Sequence, residues 1–189
     1  MPLTARWVGC FWERSEVIHD FADSLAASHA ASDLAIWEQI YRRAFQTFCA
    51  MVDHREDGEH QRAGIDRSVI LANSKQLLID EKVRWSKYSD ILLEYLSNDR
   101  TGAPGWVCKP LRADYIAYAV APLGRAYLLP VIQLQIAWAR NADLWKAQYS
   151  IPPAKNNGYS THSVAVPPER LFPAIGGALR VGFDPVEAA

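Results

Sequence analysis

Asp66, Asp80 and Lys82 are the side chains with the most chemical potential in this 189-residue sequence. Two carboxylates and an ammonium, brought together, form a set that holds a divalent cation beside a phosphodiester. Carboxylate oxygens suit a hard ion such as Mg²⁺, which keeps several of its waters. A nearby lysine can orient a water or offset charge that builds on a phosphate. Asp66 heads one strand-like run, and Asp80-Glu81-Lys82 lies inside the next.

The elements that must position this trio are readable. Ser68-Val69-Ile70-Leu71 and Gln76-Leu77-Leu78-Ile79 are apolar and favour strands, and Ala72-Asn73-Ser74-Lys75 between them has turn character. Side chains alternate faces along a strand, so Asp80 and Lys82 share one face while Ile79, Glu81 and Val83 point to the other. Asp66 joins them only if an antiparallel register sets residue 66 opposite residue 80. That register centres the turn on Asn73, with a loop of three or five residues. A two-residue turn would set 66 opposite 81 and break the site unless a bulge intervened. The competing reading of the trio is a surface ion pair between Lys82 and its acidic neighbours. Against it, Leu77-Leu78-Ile79 is a continuous apolar run, as in a strand buried on both faces, and charges at its end are costly to bury without a role or a partner.

The arrangement resembles the signature of the PD-(D/E)XK nuclease superfamily. Gln61-x-x-Gly64-Ile65-Asp66, Ile79-Asp80-Glu81-Lys82 and Ala113-Asp114-Tyr115-Ile116-Ala117-Tyr118 are similar to blocks of its phage and bacterial branch. No proline precedes Asp66; Ile65 stands there. The resemblance spans roughly residues 30–140. It implies an α/β fold with a restriction-endonuclease-like core, a mixed central sheet with flanking helices. It also implies metal-dependent phosphodiester hydrolysis, with Mg²⁺ as the cofactor and Mn²⁺ able to substitute. Asp66, Asp80 and the backbone carbonyl of Glu81 would hold the metal, and Lys82 would act on the water or the phosphate. Glu38 and Glu94 are further metal candidates, and Gln61, Arg67, Arg84 and Lys87 are candidate substrate contacts. Glu38 has an equal claim as a solvent-facing partner of Arg42 at i+4. Glu94 shares strand parity with Leu92 and Leu96, which predicts a buried carboxylate in need of a partner. The alternative function is a non-catalytic nucleic-acid-binding or protein-interaction module that retains the nuclease fold.

Composition bounds these readings. A chain of this size fits a single domain over 1–189, with the core at about 30–148 and a C-terminal extension at 149–189. Net charge is −1, which argues against broad nucleic-acid affinity. The distribution is more favourable: Arg62, Arg67, Lys75, Lys82, Arg84 and Lys87 surround the acidic motif. Nucleic acid, DNA rather than RNA, is the expected partner, and a homodimer or larger complex is compatible with the chain. No apolar run is long enough to span a membrane, and the N-terminus lacks a basic start followed by an apolar stretch. Three unpaired-looking cysteines, Cys10, Cys49 and Cys108, fit a reducing compartment. Together these predict a cytoplasmic protein without membrane association. Asp53, His54, Asp57 and His60 read as a solvated loop before a transition-metal site, and Ser160, His162 and Ser163 lack the glycine elbow of a serine hydrolase. No phosphate-binding glycine loop or dinucleotide fingerprint occurs.

Along the chain, residues 15–50 read as helical from a Ser32-Asp33 cap, with Leu34, Trp37, Tyr41, Ala44 and Phe48 on one face. The hairpin follows a polar loop at 53–60. Residues 90–97 predict a third core strand, and 106–112 a short helix limited by Pro110. A second hairpin turns at Leu123-Gly124, and 131–148 reads as a helix. After an irregular stretch at 150–157 come a strand at 161–166 and a short helix opened by Pro167-Pro168.

Overall fold

The computed structural model describes residues 35–54 and 56–187. Helix α1 (Ile36–Ala44) shows why the helical reading worked and where it overran. Ile36, Trp37, Ile40 and Tyr41 are buried while Glu38, Arg42 and Arg43 face solvent. The helix ends at Phe45, whose backbone is extended. Phe48 keeps the helical spacing in sequence but opens strand β1 (Phe48–Asp53). The expected cap at Ser32-Asp33 lies outside the described residues.

The predicted polar loop contains a short helix, α2 (Gly58–Arg62), capped by the Asp57 side chain, which accepts from the Glu59 and His60 amides. Its end is a Schellman motif. Gly64 at φ +70° donates to the Gln61 carbonyl, and Ile65 donates to the His60 carbonyl. A side chain at Gly64 would be strained at that φ and would overlap Leu111. This compact stop delivers Asp66 to the head of β2 (Arg67–Leu71), which pairs antiparallel with β3 (Gln76–Arg84).

The pairing follows the expected register. Arg67 faces Ile79 and Val69 faces Leu77, and the Asp66 amide donates to the Ile79 carbonyl. Leu71 donates to Lys75 and Ser74 donates back to Leu71. The connection is thus a three-residue loop centred on Asn73, with Ser74 in the left-handed region at φ 62°.

A six-stranded mixed sheet has the order β1-β2-β3-β6-β7-β10. β3 runs parallel to β6 (Tyr115–Val120), which turns through a 3₁₀ segment at Ala121–Leu123 and Gly124 into β7 (Arg125–Pro130). β10 (Leu179–Gly182), for which the sequence offered no clear signal, closes the far edge on β7. A second, four-stranded sheet has the order β5-β4-β9-β8. It comprises β4 (Ile91–Asn98), β5 (Ala103–Pro104), β8 (Ala154–Asn156) and β9 (Tyr159–Val166). Helices α3 (Val131–Tyr149) and α4 (Pro168–Ala174) complete the described elements.

Three expectations are corrected here. Residues 90–97 form a strand, but β4 pairs with β9 in the second sheet and is not a third core strand. The antiparallel meander is instead β1-β2-β3. Residues 106–112 form turns closed by amide bonds from Cys108 and Lys109 to Gly105, with no helix. Finally, residues beyond 148 are integral to the packing: Val164, Val166, Leu171, Phe172 and Ile175 belong to the larger core cluster with Ile116, Leu129 and Leu134. A second cluster joins α1 to the opposite face of the six-stranded sheet through Ile79, Ala117 and Leu128. Among the described residues no helix is long and apolar enough to cross a membrane.

Gly105 lets the chain leaving β5 pack directly on β4 of the same sheet. A Cβ there would sit 2.2 Å from the Glu94 carbonyl oxygen and 2.8 Å from Glu94 Cγ. Gly105→Ala is expected to destabilise the fold by about 1–3 kcal/mol, as overpacking against backbone does. Chemical denaturation measures it; an unchanged midpoint would mean that this segment is free to move away from β4.

Candidate active site

The β2–β3 register gives each face of the hairpin a distinct chemistry. On one face Asp66, Asp80 and Lys82 come together. Asp66 Oδ2 accepts the Glu81 amide at 2.7 Å, so its carboxylate is anchored across the ladder. Its carboxyl group is close enough to that of Asp80 to raise the latter's pKa. Lys82 Nζ donates to Asp80 Oδ1 at 2.5 Å and reaches the Glu81 carbonyl at 3.3 Å. Asp80 is 4% exposed, whereas the Lys82 side chain keeps about a third of its surface open.

Burial, opposed by Lys82 and reinforced by Asp66, pushes the Asp80 carboxyl up to about 6. Burial alone would lower the Lys82 pKa, but Asp80 and Asp66 more than offset it, and the pKa is raised. Lys82 is therefore a cation at neutral pH.

Glu94 reaches this site from the other sheet. The Leu92 amide donates to the Tyr118 hydroxyl at 3.1 Å, tying β4 to β6, and Tyr118 stands beside Lys82 in the β3–β6 register. Glu94 is close enough to add to the field that holds Lys82 charged. It is half-buried; the fully buried side of β4 is that of Ile91 and Leu93. Glu94 packs against Gly105 and has Lys82 as a charged neighbour, while Ile91 and Leu93 pack in the core.

On the opposite face, Glu81 is bound by Tyr41 and Arg67. The Tyr41 hydroxyl donates at 2.6 Å and Arg67 Nε at 2.8 Å, both to Oε1. Burial pushes the Glu81 carboxyl up to about 7, although Arg67 and Tyr41 both oppose the shift. Arg67 was expected at the substrate. It is 5% exposed, held by Glu81 and 3.6 Å from Asp53. The reason is parity: a register that turns Asp66 toward the site turns Arg67 away from it. The Glu81 side chain is likewise a fixture of the α1 interface, while its carbonyl faces Lys82.

The other named candidates are scattered. Glu38 is exposed and paired with Arg42 at 2.6 Å, the helix-surface alternative. Arg84 shares the Asp80 face, but its guanidinium is taken by the Asp90 carboxylate and carbonyl and lies over the Tyr88 ring. Lys87 is exposed and pairs with Glu187 at 2.9 Å. Gln61 is exposed on α2, where its carbonyl accepts Gly64.

Two structural supports escaped the sequence reading. Asp114 accepts the Leu78 amide at 2.8 Å and returns its own amide to the Leu78 carbonyl, clamping β3 just before Asp80. The Ala113-Asp114-Tyr115 block was the available signal. Ser68 Oγ accepts from Gln76 Nε2 at 2.6 Å and meets His54 Nε2 at 2.7 Å. The His54 ring stacks on His60, which pairs with Asp57. These histidines brace α2 against β2. Among the described residues, no group of three or more His, Cys, Asp or Glu is arranged to hold a metal. The acidic site is thus a two-carboxylate site, a donor set compatible with an ion that keeps most of its waters.

No family model matches the chain, and neither a curated protein nor a solved structure matches it.

The Asp80 shift has a measurable consequence for stability. Its folded-state value lies above its usual 3.8. Its stabilising contribution is therefore intact below about pH 4 and is lost as pH rises through about 6. In metal-free buffer, Asp80→Asn is expected to melt several degrees higher than wild type above pH 7, with the difference vanishing near pH 4. Thermal unfolding in EDTA from pH 4 to 8 checks this. A lower melting temperature for the variant at pH 8 would show that Lys82 holds Asp80 ionised.

Proposed function

We propose that the chain is a metal-dependent nuclease with Asp66, Asp80 and Lys82 as its catalytic set. The single observation that carries the reading is their convergence on one sheet face through the 66-opposite-80 register. An accidental charged patch has no reason to bury an aspartate against a second aspartate. Fold order adds support: α1, an antiparallel β1-β2-β3 meander and a parallel β6 follow the helix, three strands and fourth strand of the restriction-endonuclease-like core. The connection before β6 carries β4 and β5 where that core has a helix.

The donor set fits Mg²⁺ or Mn²⁺. Asp66 and Asp80 are hard oxygen ligands, the Glu81 carbonyl stands beside Lys82, and Asp80 binds a proton more tightly than usual where a cation would relieve the same repulsion. A bound Mg²⁺ would supply Lewis acidity toward the phosphoryl oxygens and a lowered water pKa. Asp66, fixed by the Glu81 amide, holds its carboxylate in one orientation. Lys82 is charged and accessible, so its role is to stabilise the anionic phosphorane-like charge rather than to act as a base. Asp80 and Asp66 keep that ammonium protonated, and Glu94 adds a smaller contribution from the other sheet. The proposed substrate is DNA, reached without any membrane association.

The test incubates labelled single- and double-stranded DNA and RNA with Mg²⁺, Mn²⁺ or EDTA. Cleavage in the metal arms only is expected. Lys82→Ala should lower the cleavage rate by roughly 10²–10³-fold, as loss of a transition-state donor does, while leaving affinity nearly unchanged. Asp80→Asn should abolish metal-dependent turnover. Wild-type inactivity on all four substrates, or cleavage unchanged from wild type in both variants, would replace this reading with a binding or interaction module.

A further inference from the structure

Three residues before Asp66 in the chain, Ala63 lines a cleft of about 410 Å³ together with Glu59, Arg62, Pro110, Leu111 and Arg112. One wall is the last turn of α2, and the other is the segment entering β6. The walls are fastened together. The Arg112 amide donates to the Ala63 carbonyl at 2.9 Å, and Leu111 occupies the space that Gly64 leaves open. Both walls continue directly into the site: Ala63-Gly64-Ile65 leads to Asp66, and Ala113-Asp114 leads to the Leu78 clamp and to Ile116 opposite Asp80.

The cleft's arginines differ from most of the nearby cations, Lys75 excepted. Arg42, Arg43, Arg67, Lys82, Arg84 and Lys87 each have a carboxylate partner. Arg62 and Arg112 are exposed, and among the described residues neither forms an ion pair. The cleft lining therefore holds two arginines and one carboxylate, Glu59. A guanidinium offers a planar fork of donors that matches phosphate oxygens, and two of them exclude a metal cation as the occupant.

We infer that this cleft binds a backbone phosphate of the nucleic-acid substrate next to the one being cut, with Arg62 and Arg112 as its ligands. The inference rests on the nuclease reading for the identity of the substrate. It assigns substrate positioning to these two arginines in place of Arg67, which faces the core.

The experiment compares full-length wild type, Arg62→Ala/Arg112→Ala and Arg62→Lys/Arg112→Lys. Steady-state cleavage of labelled DNA is measured in Mg²⁺, and DNA affinity is measured in EDTA across 50–200 mM salt. The alanine variant is expected to raise KM about tenfold with kcat little changed. It should also flatten the slope of log affinity against log salt by roughly 1.4–1.8, the loss of two phosphate contacts. The lysine variant should recover much of the salt slope, because it retains the charge. Inorganic phosphate should compete with DNA for wild type and not for the alanine variant, which distinguishes a phosphate site from a general loss of surface charge. Equal KM, affinity and salt slope in wild type and alanine variant would overturn the inference while leaving catalysis by Asp66, Asp80 and Lys82 standing. If wild type binds DNA without cutting it, the nuclease reading fails and the affinity and salt-slope comparison still decides the cleft. No DNA binding by wild type would overturn both. Both side chains are exposed, so folding is expected to survive, and matching melting curves verify it.

Discussion

The antiparallel register of β2 and β3 is the constraint on which the candidate site depends, and the three-residue loop around Asn73 sets it. Parity leaves no freedom once it is fixed. Asp66, Asp80 and Lys82 must share one face, and Arg67, Ile79 and Glu81 the other. The back face then secures the front. Arg67, Glu81 and Tyr41 form a buried hydrogen-bonded ionic group that joins α1 to the hairpin. A one-residue slip would bring Glu81 to the site and strand Arg67 without its carboxylate, at the cost of an unpaired buried charge. On that back face the register is held both by the Arg67–Glu81 pairing and by the aliphatic packing of Val69, Leu77 and Ile79.

The two faces hold buried carboxylates in different ways. Glu81 is fully partnered by a guanidinium and a hydroxyl, and its position is structural. Asp80 has one ammonium and a neighbouring carboxyl group that repels it. Such an arrangement stores unfavourable electrostatic energy at one place in the fold, which is the physical pattern of a site adapted to a ligand rather than to stability. Rigid surroundings allow it to persist: the Glu81 amide grips Asp66, and the Asp114 carboxylate grips β3.

What the sequence made legible was local and periodic. The hairpin, its turn and the shared face of the trio followed from alternation and turn chemistry. The second hairpin and α3 followed from the same kinds of signal. Properties that depend on distant partners were not legible. Nothing in Ile91–Asn98 says whether it pairs with β3 or with β9, because a strand's own pattern records which faces are buried and not which neighbour it bonds. β1 was hidden because Phe48 happens to extend the α1 spacing. Arg67 is a different case. Its inward direction was implied by the same parity that aligned Asp66 with Asp80, and its charge alone suggested a substrate contact. Charge states what a side chain can bind; register states what it can reach.

That distinction also resolves the near-neutral composition. A net charge of −1 gives no global field to attract a polyanion. Most cations around the hairpin are neutralised by nearby carboxylates within the fold, so counting basic residues along the sequence overstates the positive surface. Arg62 and Arg112 lie fifty residues apart in sequence and line one cleft, whose walls the Arg112 amide joins by its bond to the Ala63 carbonyl. A protein with little net charge can still engage a phosphate backbone where two arginines without carboxylate partners line one cleft. In this fold the same bond that forms the cleft also joins the approach to β6 with the approach to Asp66, so a ligand held there is held at a fixed offset from the carboxylates.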